Sequence, residues 1–242
     1  VKTAEKIAKV IGGLPEGRVF TYQDLGVRTT EYAAAAKALG RLVMSGNLRR
    51  AKTGMFYKAQ KTVFGELQPA EEQLLRPYLF ERNKRVAYIT GTALYNRMGL
   101  TTQVPRIIRI ASRGKRVIAK AGNLRIQAVK SYVEVTDDNY YLLETLDAMK
   151  DFKTIPDTNK ESMIIILKKR IAELKKQDLN RIACIALEYP PRVRAFLGAL
   201  LEVMELVPLQ QKELKATLNP LSAYQFGIGK GLLPTADNWN IY

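Results

Sequence analysis

Histidine is absent from the 242 residues, and cysteine occurs once, at Cys184. The first absence excludes Ser-His-Asp and Cys-His nucleophile activation, His-ligated metal sites and imidazole acid–base work. The second excludes an intrachain disulfide and a zinc site built from cysteines. Cys184 lies in the apolar run 182–187 and reads as a small buried core residue. Long apolar runs are also missing: runs such as Met163–Leu167 are far short of the ~20 residues that cross a bilayer. The first segment carries Lys2, Glu5, Lys6 and Lys9, unlike the core of a signal peptide, so a cytoplasmic location is expected. Acidic charge is scarce. Against 39 Lys and Arg stand 23 Asp and Glu, a formal net charge of +16. That excess points to a polyanionic partner, nucleic acid before a membrane surface.

The positive charge is concentrated in two stretches that contain no acid at all. Residues 32–65 hold seven cations (Lys37, Arg41, Arg49, Arg50, Lys52, Lys58, Lys61), and residues 82–133 hold twelve. Ordinary solvated surfaces intersperse the signs, so two electropositive faces are expected.

Apolar periodicity predicts a first helix through Ala4, Ile7, Ala8, Ile11 and Leu14, ended by Gly12, Gly13 and Pro15. A short β-prone stretch, 18–20, follows. Thr21 with Asp24 three residues on resembles a capping box and predicts a short helix over 22–25, stopped by Gly26. Thr29 or Thr30 is expected to cap the alanine-rich helix 31–45. Its inward face reads Tyr32, Ala35, Leu39, Leu42 and Val43. Its outward face reads Ala33, Ala34, Lys37, Ala38 and Arg41. Residues 48–51 and 55–58 around Lys52-Thr53-Gly54 read as a hairpin. Helix, strand, short helix, turn, helix, hairpin is the order of a winged helix-turn-helix. Small residues let the third helix sit deep in a major groove, where Lys37 and Arg41 reach phosphates or base edges. The hairpin cations Arg49, Arg50, Lys52 and Lys58 suit flanking phosphates, and Arg28, Thr29 and Thr30 the helix N-terminus. The competing reading is a small helical core with a solvated basic face.

Further on, Pro69 is expected to open a helix over 69–80, and 86–90 and 106–111 read as strands. With Gly122-Asn123 as a two-residue turn, Lys120 falls opposite Arg125 in a hairpin whose other face is apolar. Arg116, Lys120 and Arg125 then form either a solvated basic face or a second polyanion contact. The rest reads as helical. Asp137 or Asp138 caps a helix carrying Leu142, Leu143, Leu146 and Met149. Apolar stripes follow at 163–174, 179–186 and, after Pro190-Pro191, 193–204. The tail from Asn219, with Gly227, Gly229 and Gly231, reads as loop and lacks a phosphate-loop pattern. The expected architecture is α+β: an N-terminal winged helix-turn-helix over 1–62, then a mixed α/β domain over 63–242 with a small antiparallel sheet and a helical end.

These motifs carry a resemblance. The stretch 17–25 (GRVFTYQDL), with 36–43, Ser45-Gly46 and 54–58, is similar to the winged-helix segment of AbiEi-like antitoxins of type IV, abortive-infection toxin–antitoxin systems. Tyr88-Ile-Thr-Gly91, Ala93-Leu-Tyr95, the run 99–105 (GLTTQVP) and 189–194 (YPPRVR) resemble the body of the same group. The likeness covers roughly residues 5–205. It implies a repressor of its own operon, used in phage defence, that counters a nucleotidyltransferase toxin. DNA binding falls to the winged domain, matching Thr29, Thr30, Lys37, Arg41 and the hairpin cations.

The leading expectation is therefore a non-enzymatic DNA-binding autorepressor and antitoxin, without cofactor or metal, bound to inverted repeats in its own promoter as a homodimer. An interaction module for an acidic protein partner is the alternative. A metal-dependent nuclease would have to draw on Glu134, Asp137 and Asp138 with Lys130; helix capping explains those aspartates better.

Overall fold

The computed structural model describes residues 3–63, 65–114, 119–121 and 124–242, the side chains of 119–121 and 124 aside. The chain divides into two compact units, 1–87 with 117–126 and 88–116 with 127–242. The helix beyond residue 62 packs against the first strand and belongs to the first unit.

In the first unit, α1 (Thr3–Gly12) buries Ile7 and Ile11. β1 (Val19–Thr21) follows. The expected helix over 22–25 is only a turn. The Asp24 carboxylate takes the Thr21 N–H at 2.8 Å and its hydroxyl at 2.9 Å, and Gly26 at φ 63° ends it before a second turn forms. A 3-10 turn, Thr29–Glu31, leads into α2 (Tyr32–Met44). β2 (Arg49–Lys52) and β3 (Met55–Tyr57) make the expected hairpin, irregular between Arg50 and Lys52. With β1 they form an antiparallel sheet in the order β1-β3-β2. Ile7, Ile11, Phe20, Leu25, Ala35, Ala38, Leu39, Leu48 and Phe56 close one core between sheet and helices. Beyond it lie a small hairpin, β4 (Gln60–Thr62) and β5 (Gly65–Leu67), then α3 (Glu71–Leu79) and the pair β6 (Phe80–Glu81) and β7 (Lys84–Arg85). Pro69 does not open α3: the helix starts at Glu71, with Ala70 extended before it.

β8 (Ala87–Thr90) leads to α4 (Thr92–Arg97) and β9 (Ile107–Ser112). β10 (Ala119–Ala121) and β11 (Leu124–Lys130) pair antiparallel in the expected register, with Lys120 opposite Arg125; the turn residues Gly122 and Asn123 lie outside the described residues. These four strands run in the order β10-β11-β9-β8. Helices α5 (Tyr140–Asp151), α6 (Lys160–Ala172), α7 (Lys176–Ala186), α8 (Pro191–Val203) and α9 (Pro208–Ala216) complete the second unit. The fold is thus mixed α+β, with small sheets and a helical C-terminal part. The apolar stripes expected on α5 to α8 are the core, with α8 buried nearly all round. Neither Asp137 nor Asp138 caps α5. Asn139 holds the N-cap position, and its Oδ1 accepts the Thr136 N–H at 2.8 Å. Cys184 points outward from α7 rather than into the core. The tail is mostly irregular but tightly placed: Trp239 is buried against Gly198 of α8, its indole N–H donating to Glu202. Among the described residues no helix is long and apolar enough to cross a membrane.

Candidate nucleic-acid interface

α2 sets the site. Ala35, Ala38 and Leu39 are buried, so the helix turns these three inward. Two residues depart from the expected facing. Ala38 is in the core, and Tyr32 is 52% exposed. In an alanine-rich helix the small residues do not by themselves mark a face, and the neighbours decide. The exposed stripe is Ala33, Ala34, Lys37, Arg41 and Met44. Its spacing of three to four residues makes one continuous ridge. The Lys37 and Arg41 side chains make no hydrogen bond or ion pair with any described residue.

The entry to α2 is fixed by the chain before it. The Arg28 N–H donates to Glu31 Oε2 at 3.2 Å, and the Thr3 hydroxyl reaches the other oxygen at 3.5 Å. Thr29 and Thr30 therefore do not cap α2. They are the first two residues of the 3-10 turn, and both are exposed, as is Arg28. A chain of rings then ties α2 to the sheet. Tyr32 stacks on Tyr22 at 4.6 Å, Tyr22 meets Phe56 edge-on at 5.7 Å, and the Arg50 guanidinium lies 5.6 Å from the Phe56 ring. Burial and the neighbouring Tyr32 hydroxyl push the Tyr22 pKa up, and Arg50 opposes them. The start of α2 and the exposed Arg50 are thus positioned by one aromatic ladder.

Two of the hairpin cations are occupied elsewhere. Arg49 grips Glu66 with two bonds of 2.7 Å and donates a third and fourth to the Gly46 and Leu48 carbonyls. Glu66 is the first acid beyond the acid-free stretch 32–65, brought back by the β4–β5 hairpin. Lys58 donates to the Gly12 and Leu14 carbonyls at 3.1 and 2.7 Å, closing the C-terminal end of α1. Arg50 and Lys52, like Lys37 and Arg41, make no hydrogen bond or ion pair with any described residue.

The second basic stretch is less free in space than in sequence. Arg97 pairs with the buried Glu144 at 2.6 Å, and Arg113 donates to the Tyr132 carbonyl at 2.8 Å. Arg125 is exposed; Arg116 and the Lys120 side chain lie outside the described residues. Glu134, Asp137 and Asp138 do not converge on a common point, and no group of described residues is arranged to hold a metal ion.

Sequence reasoning missed a buried polar network in the second unit. Asp147 on α5 is 2% exposed. It accepts hydrogen bonds from Tyr88 (2.9 Å), Thr90 (2.6 Å), Lys150 (2.9 Å) and Tyr189 (3.4 Å). Tyr95 bonds the Asp151 carboxylate at 2.6 Å and the Asp147 carbonyl at 3.2 Å. Burial above all, with the adjacent aspartates, pushes the pKa values of Tyr88, Tyr95 and Tyr189 far up, so all three stay protonated donors. Four residues of the quoted body motifs, Tyr88, Thr90, Tyr95 and Tyr189, converge here. The available signal was Asp147 itself, a carboxylate one residue past Leu146 on an otherwise apolar helix face.

A family model described as a family of unknown function, DUF6088, matches residues 6–174. No curated protein matches the chain. Among solved structures, the chain is similar to the RV2827C protein from Mycobacterium tuberculosis, at 14% identity and a TM-score of 0.52, over 93% of this chain and 85% of that one. At that identity the likeness concerns the fold alone.

Proposed function

The chain belongs to DUF6088, a family of unknown function, and for this member we propose a DNA-binding transcriptional autorepressor whose first unit is a winged helix. The observation that carries the reading is the exposed ridge of α2, where Ala33 and Ala34 leave room for close approach and Lys37 and Arg41 make no hydrogen bond or ion pair with any described residue. The order α1, β1, turn, α2, β2–β3 and the three-stranded sheet β1-β3-β2 support the winged-helix assignment. In this reading α2 enters the major groove. Arg28, Thr29 and Thr30 meet a phosphate at its N-terminal approach. Arg50 and Lys52 hold flanking phosphates. Arg49 and Lys58 keep the scaffold in shape instead of touching DNA.

The resemblance to AbiEi-like antitoxins extends the proposal: the protein acts in the cytoplasm as antitoxin to a nucleotidyltransferase, binds inverted repeats as a homodimer, and performs no catalysis itself. The deciding experiment is fluorescence anisotropy with the duplex upstream of the protein's own gene, beside a shuffled duplex, at two salt concentrations. Preference for the native duplex by ~10³-fold is expected. Equal, salt-sensitive binding to both would refute specific repression and favour an acidic protein partner.

A further inference from the structure

A cavity of about 670 Å³ opens in the first unit where the loop 15–18, the β4–β5 hairpin and the start of α3 meet. Its volume falls within the ~300–1,000 Å³ of small-ligand sites. Arg18, Arg76, Gln60, Gln68 and Gln73 supply its polar wall, and Leu67 and Pro69 part of the apolar one. The two arginines share a single neutral acceptor: Arg18 Nη2 and Arg76 Nη2 lie 3.0 and 3.1 Å from Asn83 Oδ1. Arg76 is held in place by the Phe80 ring, 4.5 Å below its guanidinium. Burial first, and the Arg18 charge second, pull the Arg76 pKa down. Of the nearby carboxylates, Asp24 is engaged by Thr21, and Glu16, a lining residue, is exposed. Two lining atoms, the donor Arg18 Nε and the acceptor Gln73 Oε1, are buried with no hydrogen-bond partner among the described residues. Buried polar atoms left unpaired are costly and rare, so an unpaired donor and an unpaired acceptor in one wall ask for a ligand that both donates and accepts.

We propose that this cavity binds a mononucleotide-sized organic phosphate, its phosphate between Arg18 and Arg76 and its base edge on Gln73. Two guanidiniums in one wall call for close to two negative charges. A phosphate monoester, at about −1.5 to −2 near pH 7, supplies them, whereas a single carboxylate does not. The apolar patch and the glutamine amides suit a ring with hydrogen-bonding edges. The inference does not rest on DNA recognition by α2.

The test is titration calorimetry of the full chain with AMP, GMP, CMP and UMP, each beside its nucleoside. At least one nucleotide should saturate a single site with Kd below ~200 µM. Its nucleoside should bind at least about tenfold more weakly. Arg18→Gln and Arg76→Gln should each weaken the nucleotide about tenfold or more. Glu16→Gln, at an exposed position where folding is not at stake, should tighten it. No saturation by any of the four at ~1 mM would overturn the proposal, and so would full-strength binding by both arginine variants. A duplex that displaces the nucleotide, and whose own affinity falls equally in the arginine variants, would assign the arginines to DNA and overturn it too.

Discussion

Replacing Asp147 with alanine removes the acceptor on which four donors converge. Tyr88, Thr90 and Tyr189 are left as buried hydroxyls, and Lys150 keeps the more distant Asp151 carboxylate, at 4.0 Å, and the Tyr132 ring, 5.7 Å away. Removing one partner of a buried ion pair costs about 3–5 kcal/mol, because the remaining charge and dipoles stay desolvated. For a unit of this size each kcal/mol lowers Tm by about 2–4 °C, which gives a fall of roughly 6–20 °C. The lone Trp239 is buried in the same core as Tyr88, so its emission during urea unfolding follows this unit. Asp147→Asn, which keeps the shape but turns an amide N–H₂ toward some of the donors, should cost less than alanine. A Tyr88→Phe/Asp147→Ala cycle should show a coupling of about 0.5–3 kcal/mol. A loss below ~1 kcal/mol for Asp147→Ala would refute the claim that the carboxylate organises this core.

The three raised tyrosine pKa values make a second prediction. In the unfolded chain these groups ionise near pH 10, whereas in the native state they hold their protons well above it. Their contribution is complete below ~pH 10 and is lost as pH rises beyond, by up to about 4 kcal/mol per pH unit if all three act together; urea midpoints from pH 8 to 11.5 measure it. Lys37→Ala and Arg41→Ala should each weaken operator binding by ~1–3 kcal/mol in the anisotropy assay if the contact is to a base. Arg49→Ala should leave DNA affinity nearly unchanged and alter stability by no more than about 1 kcal/mol, the scale of an exposed ion pair. Gly198→Ala would place a Cβ 2.2 Å from the Trp239 ring. The ring must move, with a cost of about 1–3 kcal/mol and a red-shifted emission.

What the sequence disclosed depended on range. Periodicity located α1, α2 and α5 to α8, because a helix face needs only residues within two turns of one another. The β10–β11 register was equally local. The placement of Ala38 and Tyr32 was not legible, since alanine fits either environment and Tyr32 finds its partner in Tyr22, ten residues away. Arg49 read as a phosphate contact because Glu66 lies 17 positions on, outside any local window. Lys58 closes a helix that ended more than 40 residues earlier. The Asp147 network joins residues 42 to 59 positions apart. The cavity likewise needs Arg18 brought beside Arg76. The misses at Arg49, Lys58, Asp147 and the cavity are long-range polar contacts, which a sequence pattern does not encode.

The ridge of α2 is separate from the residues on which folding depends. Ala33, Ala34, Lys37 and Arg41 are exposed, while Ala35, Ala38 and Leu39 hold the helix in place. Substitutions on such a surface typically cost within ~0.5 kcal/mol. The four ridge positions can therefore be randomised together in a library whose members still fold, and relatives are free to diverge there in what they bind while keeping the same scaffold.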